Sequence, residues 1–177
     1  MHYRRNKQPG ACYFFTLVTY QRQPLLTQNN IDRLRLAFKR EMKKRPFTID
    51  AIVILPDHLH TLWRLPEQDS NYSLRWSNIK RFFSTGCEQS SLEISNSHLK
   101  KREKTVWQRR FWEHTIHDQQ DWQKHMDYIH YNPVKHGYAK SPADWAYSSF
   151  KQCVAKGWYT EEWGSSEPEI IKKLDYE

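Results

Sequence analysis

The element order β-α-β-β-α-β-α predicts an α+β fold: a ferredoxin-like antiparallel sheet backed by helices, extended by a further helix bearing a tyrosine and by a tail. Three observations carry that expectation. Aromatic and β-branched runs alternate with stretches of helical periodicity, and the strand-helix-strand unit occurs twice. The second and third strand-like runs are separated only by Pro56-Asp57, which reads as a hairpin turn.

Each element has its own signal. CYFFTLVTY, 12–20, is aromatic and β-branched and reads as the first strand. A helix follows over 29–45, with Ile31, Leu34, Phe38 and Met42 on one face, Asn30 as a cap and Pro46 as the stop. FTIDAIVIL, 47–55, and HLHTLWRL, 58–65, are the hairpin strands. SNYSLRWSNIKRFFSTGC reads as a second helix with Leu74, Ile79, Phe82 and Phe83 inward and Gly86 ending it. The polar segment 87–104 reads as a flexible surface loop and 106–117 as the fourth strand. A third helix starts near Asp118 and ends around Asn132-Pro133.

Composition narrows the function. A chain of 177 residues with 38% hydrophobic content suits one domain spanning 1–177. Its 28 Lys and Arg against 20 Asp and Glu give a net charge of +8, which favours a polyanionic partner such as nucleic acid. The basic excess is concentrated in residues 1–50, whereas the tail at 161–177 is acidic. Three widely spaced cysteines form no CxxC, arguing for a reducing compartment without disulfides. No run has signal or membrane-span length, so the expectation is a cytoplasmic protein with no membrane partner.

One strand-like run is interrupted oddly. ILPDHLHTLWRL places His58 and His60 two residues apart, about 6.6 Å along a strand and on one face, while Leu59 points the other way. Nine histidines in this length predict about half a chance His-x-His, so the pair alone proves little. Two imidazoles aimed one way can nevertheless share a divalent metal. In HMDYIHYNPVKHG, Tyr128 and Asn132 lie four apart on one helical face, with His125 three residues before Tyr128 on that side. Asn132 could then give a third ligand, with Tyr128 beside the metal and His125 in a supporting position behind it.

Together, YRR near the start, LPDHLH, RWxxIKxxF, WQxRFWEHxI and HxDYIxxNPVKHG resemble the REP-associated tyrosine transposases, within the HUH single-tyrosine transposase superfamily. The resemblance runs in order from Tyr3 to the ADWAYSSF segment near residue 150. It implies Tyr128 as nucleophile, His58, His60 and Asn132 as metal ligands, and Mg²⁺ or Mn²⁺ as the cofactor. It further implies a nuclease and strand transferase that binds REP-type DNA hairpins and cleaves single-stranded DNA beside them through a 5′-phosphotyrosine. The family pattern does not define the 87–104 insertion. Tyr131 is the competing nucleophile, but Lys135, not an amide, follows it by four residues.

DNA contacts are expected from Arg4, Arg5, Arg75, Lys80, Arg81, Arg109 and Arg110, with Trp107 among the interleaved tryptophans available for base stacking. The chain is expected to act as a monomer. Two other readings stay open: a replication-initiator or relaxase-like HUH nuclease, and a catalytically idle nucleic-acid-binding module presenting the aromatics of CYFFTLVTY.

Overall fold

The computed structural model describes residues 7–87 and 106–169, with Ile171, Leu174 and Tyr176 of the tail. Four strands, β1 (Cys12–Val18), β2 (Thr48–Ile54), β3 (His58–Arg64) and β4 (Trp112–Thr115), form an antiparallel sheet in the order β2-β3-β1-β4. This is the expected ferredoxin-like arrangement. Helices α1 (Gln28–Lys44) and α2 (Tyr72–Thr85) back one face, α3 (Gln119–Lys135) backs the other, and α4 (Phe150–Ala155) follows.

Strand alternation builds two cores at once. Along β1, Tyr13, Phe15 and Leu17 face α1 and α2, while Cys12 and Phe14 face α3. The strand is buried on both sides, so its aromatics form no exposed stacking platform, which removes the main support for an idle RNA-binding module. On β3, Leu59 and Trp63 join the first core and Leu62 the second, leaving His58 and His60 on the α3 face as the alternation requires.

Several local expectations are corrected. The cap of α1 is Thr27; Asn30 lies inside the first turn and its Nδ2 donates to Leu25 O at 2.8 Å. Asn71 caps α2, accepting from Leu74 N, and Leu74 is left 38% exposed, while Tyr72, Arg75, Trp76, Ile79 and Phe83 make the inward face. The fourth strand covers only Trp112–Thr115, because Trp107 joins the sheet by a single bridge to Thr19. The expected 87–104 loop lies outside the described residues apart from Cys87, which is buried and, like Cys12 and Cys153, in no disulfide.

Helix α3 begins on Asp118 as expected but runs past Pro133 to Lys135. In the last turn a proline forfeits only one backbone donor, and the termination signal lies further on. Gly137, at φ +71°, donates to Val134 O, and Tyr138 N donates to Pro133 O, closing the helix with a left-handed glycine cap. That added turn carries Lys135 and His136 toward the sheet. Past α3, Tyr147 O and Ser149 bond to the backbone of Ile54 and Ile52, which covers the β2 edge.

Candidate active site

The alternation of β3 delivers two buried imidazoles. His58 is 1% exposed and its Nδ1 lies 2.6 Å from Asp57 Oδ1. Burial works against ionising Asp57, yet hydrogen bonds from His58 and Arg22 and their charge hold its carboxyl below the usual range. A carboxylate only accepts, so His58 Nδ1 carries a proton and Nε2 is the nitrogen left to meet a ligand.

His60 reaches the same state by another route. Its Nδ1 lies 2.8 Å from Thr16 Oγ1, whose hydroxyl donates to Tyr176 O at 3.0 Å. With that proton committed, the imidazole donates through Nδ1 and keeps Nε2 as an acceptor. Burial, reinforced by His58, His136, Lys135 and Arg22, pushes its pKa well below 6.5, so the ring stays neutral.

Helix α3 meets the pair with three residues of one stripe. Tyr128 packs edge-on against His60, ring centroids 5.1 Å apart, and His136 against His58 at 5.3 Å. Eight helical residues rise about 12 Å, against about 6.6 Å between alternate strand residues, so Tyr128 and His136 bracket the histidines and Asn132, one turn from each, faces the gap. His60 Nε2 and both polar atoms of the Asn132 amide are buried with no hydrogen-bond partner among the described residues. Each such group costs about 1–3 kcal/mol unless something fills the gap. Two imidazole nitrogens and an amide oxygen are a donor set that fits a divalent cation.

Tyr128 itself is fully buried. Its hydroxyl accepts from Tyr176 N at 3.3 Å and lies 3.5 Å from Lys135 Nζ, which is also 5.1 Å from the ring centroid. The Tyr176 ring sits between His125, at 4.8 Å and 16°, and Trp112, at 5.1 Å and 21°. The tail therefore folds back over the hydroxyl. Tyr131 packs against Trp163 on the other side of the helix, so the competing tyrosine is not beside the histidines. His125, 1% exposed, is held by Asp121: its Nδ1 lies 2.8 Å from the Asp121 carbonyl and 3.2 Å from Oδ1. Burial lowers its pKa, leaving it neutral.

A family model covers most of the segments that carry this site. Residues 8–132 match that of the IS200-like transposases, and the chain is 40% identical to a REP-associated tyrosine transposase of Escherichia coli K12 over 91% of this chain and 89% of that one. The chain belongs to that family. The transposase is also 43% identical, over 98% of both chains, to a Haemophilus influenzae protein provisionally given the same name. A solved REP-associated tyrosine transposase bound to a REP hairpin superposes with a TM-score of 0.78 over 99% of each chain, at 36% identity. Membership removes the replication-initiator and relaxase-like reading.

The DNA-contact expectations divide sharply. Arg75 of the transposase is 1% exposed; its guanidinium bonds Asp69 Oδ2 at 2.8 Å, Pro46 O at 2.9 Å, and Asn71 O and Arg45 O at 3.3 Å. It fastens α2 to the turns around it and has no surface to offer DNA. Trp107, 6% exposed and packed on Phe83, is core as well. Arg81, Arg109 and Arg110 are exposed, and Lys80 Nζ donates to Gln108 O at 2.7 Å, joining α2 to the arginine pair. Gln108 N bonds Val18 O, and Val18 pairs with His58, so this basic corner shares the histidine end of the sheet. Arg4 and Arg5 lie outside the described residues.

Sequence reasoning missed Thr16, Asp57, Lys135, His136 and Tyr176. Lys135 and His136 were within reach: seven and eight residues past Tyr128, they continue its stripe, and stopping the helix at Pro133 hid them. Asp57 stood in the quoted motif but was read only as a turn. Nothing in the spacing of Thr16 or Tyr176 ties either to the site.

Proposed function

We propose that this transposase cuts and rejoins single-stranded DNA beside a REP-type hairpin, with Tyr128 as nucleophile and His58, His60 and Asn132 holding Mg²⁺ or Mn²⁺. The observation that carries the reading is the set of buried lone pairs on His60 and Asn132, bracketed by Tyr128 on the same stripe. When bound, the cation supplies Lewis-acid polarisation of the scissile phosphate and charge for the phosphorane-like transition state. The two imidazoles, fixed through Nδ1 by Asp57 and Thr16, are oriented with Nε2 left to meet the cation.

Tyr128 gives up its phenolic proton to water, and the phenolate faces the Lys135 ammonium. Its oxygen attacks phosphorus, the P–O3′ bond breaks, and the departing 3′ oxygen takes a proton as a free hydroxyl. The 5′-phosphotyrosine keeps one phosphodiester-like bond, so a 3′-hydroxyl can attack it and return the phenol. The basic corner of Lys80, Arg81, Arg109 and Arg110 binds the hairpin backbone. The covered β2 edge supports a monomer, since no sheet edge is offered there to a second copy.

The test is covalent adduct formation on a 3′-labelled hairpin carrying a single-stranded flank, with Mn²⁺. The wild-type chain forms an adduct and Tyr128→Phe forms none while still shifting the hairpin in a gel. Adduct on the Phe variant overturns the assignment of the nucleophile.

A further inference from the structure

We propose that this chain carries a second cation site, for a borderline transition metal such as Zn²⁺, built by His114, His117 and Asp121. The three donors come from the end of β4, the link after it and the first turn of α3, in the spacing His-x2-His-x3-Asp. None of them belongs to the His58, His60 and Asn132 set.

One ligand atom from each of the three residues lies within 4.8 Å of the others. His114 Nε2 is 2.8 Å from Asp121 Oδ2, and the rings of His114 and His117 stand nearly perpendicular, 87°, with centroids 5.3 Å apart. Four-coordinate zinc, at about 2.1 Å from each donor, separates donors by about 3.4 Å, so the exposed His117 side chain swings inward and the 2.8 Å His114–Asp121 contact opens by about 0.6 Å, the Nε2 proton of His114 passing to solvent as its Nδ1 takes one up. No hydrogen bond holds the His117 ring to another described residue; its backbone N–H, by contrast, is anchored to Asp121 Oδ2 at 3.0 Å.

The fixed pair is held from behind. Asp121 Oδ1 lies 3.2 Å from Nδ1 of the buried His125, and the His114 ring lies between the parallel rings of His125, at 4.8 Å and 19°, and Trp112, at 6.0 Å and 5°. The carboxylate is ionised: burial opposes this, but hydrogen bonds from His114 and the His117 backbone and the nearby imidazoles hold its pKa below the ordinary range. Two imidazoles and one carboxylate suit zinc and disfavour Mg²⁺, which prefers oxygen. A cation here would staple β4 to the start of the tyrosine helix, two turns before Tyr128.

The test uses the untagged full-length chain and Zn²⁺ alone, measured by equilibrium dialysis and thermal shift. Bound Zn²⁺ falls by one equivalent on His117→Ala in the wild-type background, and from one to none in a His58→Ala/His60→Ala background. Because His117 is exposed, the metal-free melting temperature of His117→Ala matches its parent, and only the zinc-dependent rise is lost. Co²⁺ gives the same stoichiometry with the visible absorption of a four-coordinate site. Equal zinc content in His117→Ala and its parent, or no zinc held by the His58→Ala/His60→Ala chain, overturns the proposal. Neither outcome touches the assignment of Tyr128, whose test is adduct formation.

Discussion

Ending the chain at Leu174 removes Tyr176 and uncovers the Tyr128 hydroxyl, and the structure sets the size of the effect. Tyr176 contributes two backbone hydrogen bonds, N–H to Tyr128 at 3.3 Å and carbonyl from Thr16 at 3.0 Å, worth together about 2 kcal/mol. Its ring stacks on Trp112 and His125 and meets Phe14 and Tyr128, for about 3 kcal/mol more. Ordering the backbone and side chain of Tyr176 costs about 3 kcal/mol, leaving the covered state favoured by about 2 kcal/mol, or about 30-fold. Ile171 and Leu174 stay packed on the second core, so the fold is retained. Adduct formation at subsaturating hairpin should rise by about tenfold or more in the shortened chain. Tyr176→Ala, which keeps the backbone bonds, should rise less. An unchanged or lower rate in the shortened chain, with circular dichroism and melting temperature preserved, refutes the covering role of Tyr176.

The arginines separate by assay. Arg75→Met should cost about 3 kcal/mol in urea unfolding, because it strands Asp69 and three backbone carbonyls, whereas Arg109→Ala should leave stability within about 0.5 kcal/mol and lower the salt slope of hairpin binding by about 1. Asn132→Leu should abolish adduct formation while raising the metal-free melting temperature, since it removes a buried amide without partners among the described residues, worth about 1–3 kcal/mol. His130, buried against Ser149 and Phe150, has its pKa pushed by burial down to about 3. The unfolded chain protonates this residue near 6.5 and the folded chain does not. Its contribution is therefore complete above about pH 6.5 and falls by about 1.4 kcal/mol per unit as pH drops toward 3. Urea unfolding of His130→Gln between pH 7 and 4 should show a shallower decline.

What was legible in the sequence is what short-range periodicity encodes. Period two put His58 and His60 on one face and Leu59 on the other, and a spacing of four put Tyr128 over Asn132. The element order then forced β3 into the centre of the sheet, under α3. The failures share a cause too. Arg75 and Trp107 were assigned to DNA by residue type, yet whether an arginine faces solvent or fastens a turn is decided by Asp69, Arg45 and Pro46, which only the folded chain brings together. Pro133 was read by local propensity as a stop, and the cap at Gly137 overrode it.

The site's two halves also differ in what the fold asks of them. His58 and His60 each have a proton partner at Nδ1, so their rings are oriented before any cation arrives, and neither needs the tyrosine helix to hold it. The Tyr128 hydroxyl is met by Lys135 from its own helix and by the tail. The ligand geometry is thus preset by strand-side contacts, whereas access to the nucleophile depends on a segment held by about 2 kcal/mol. Substitutions at Asp57 or Thr16 should therefore act on cation affinity, by about 10–100-fold, with the tail's hold on Tyr128 governed separately. In Asp57→Asn the effect should be overcome by raising Mn²⁺. A rate that stays low at saturating Mn²⁺ would place Asp57 in the chemical step instead.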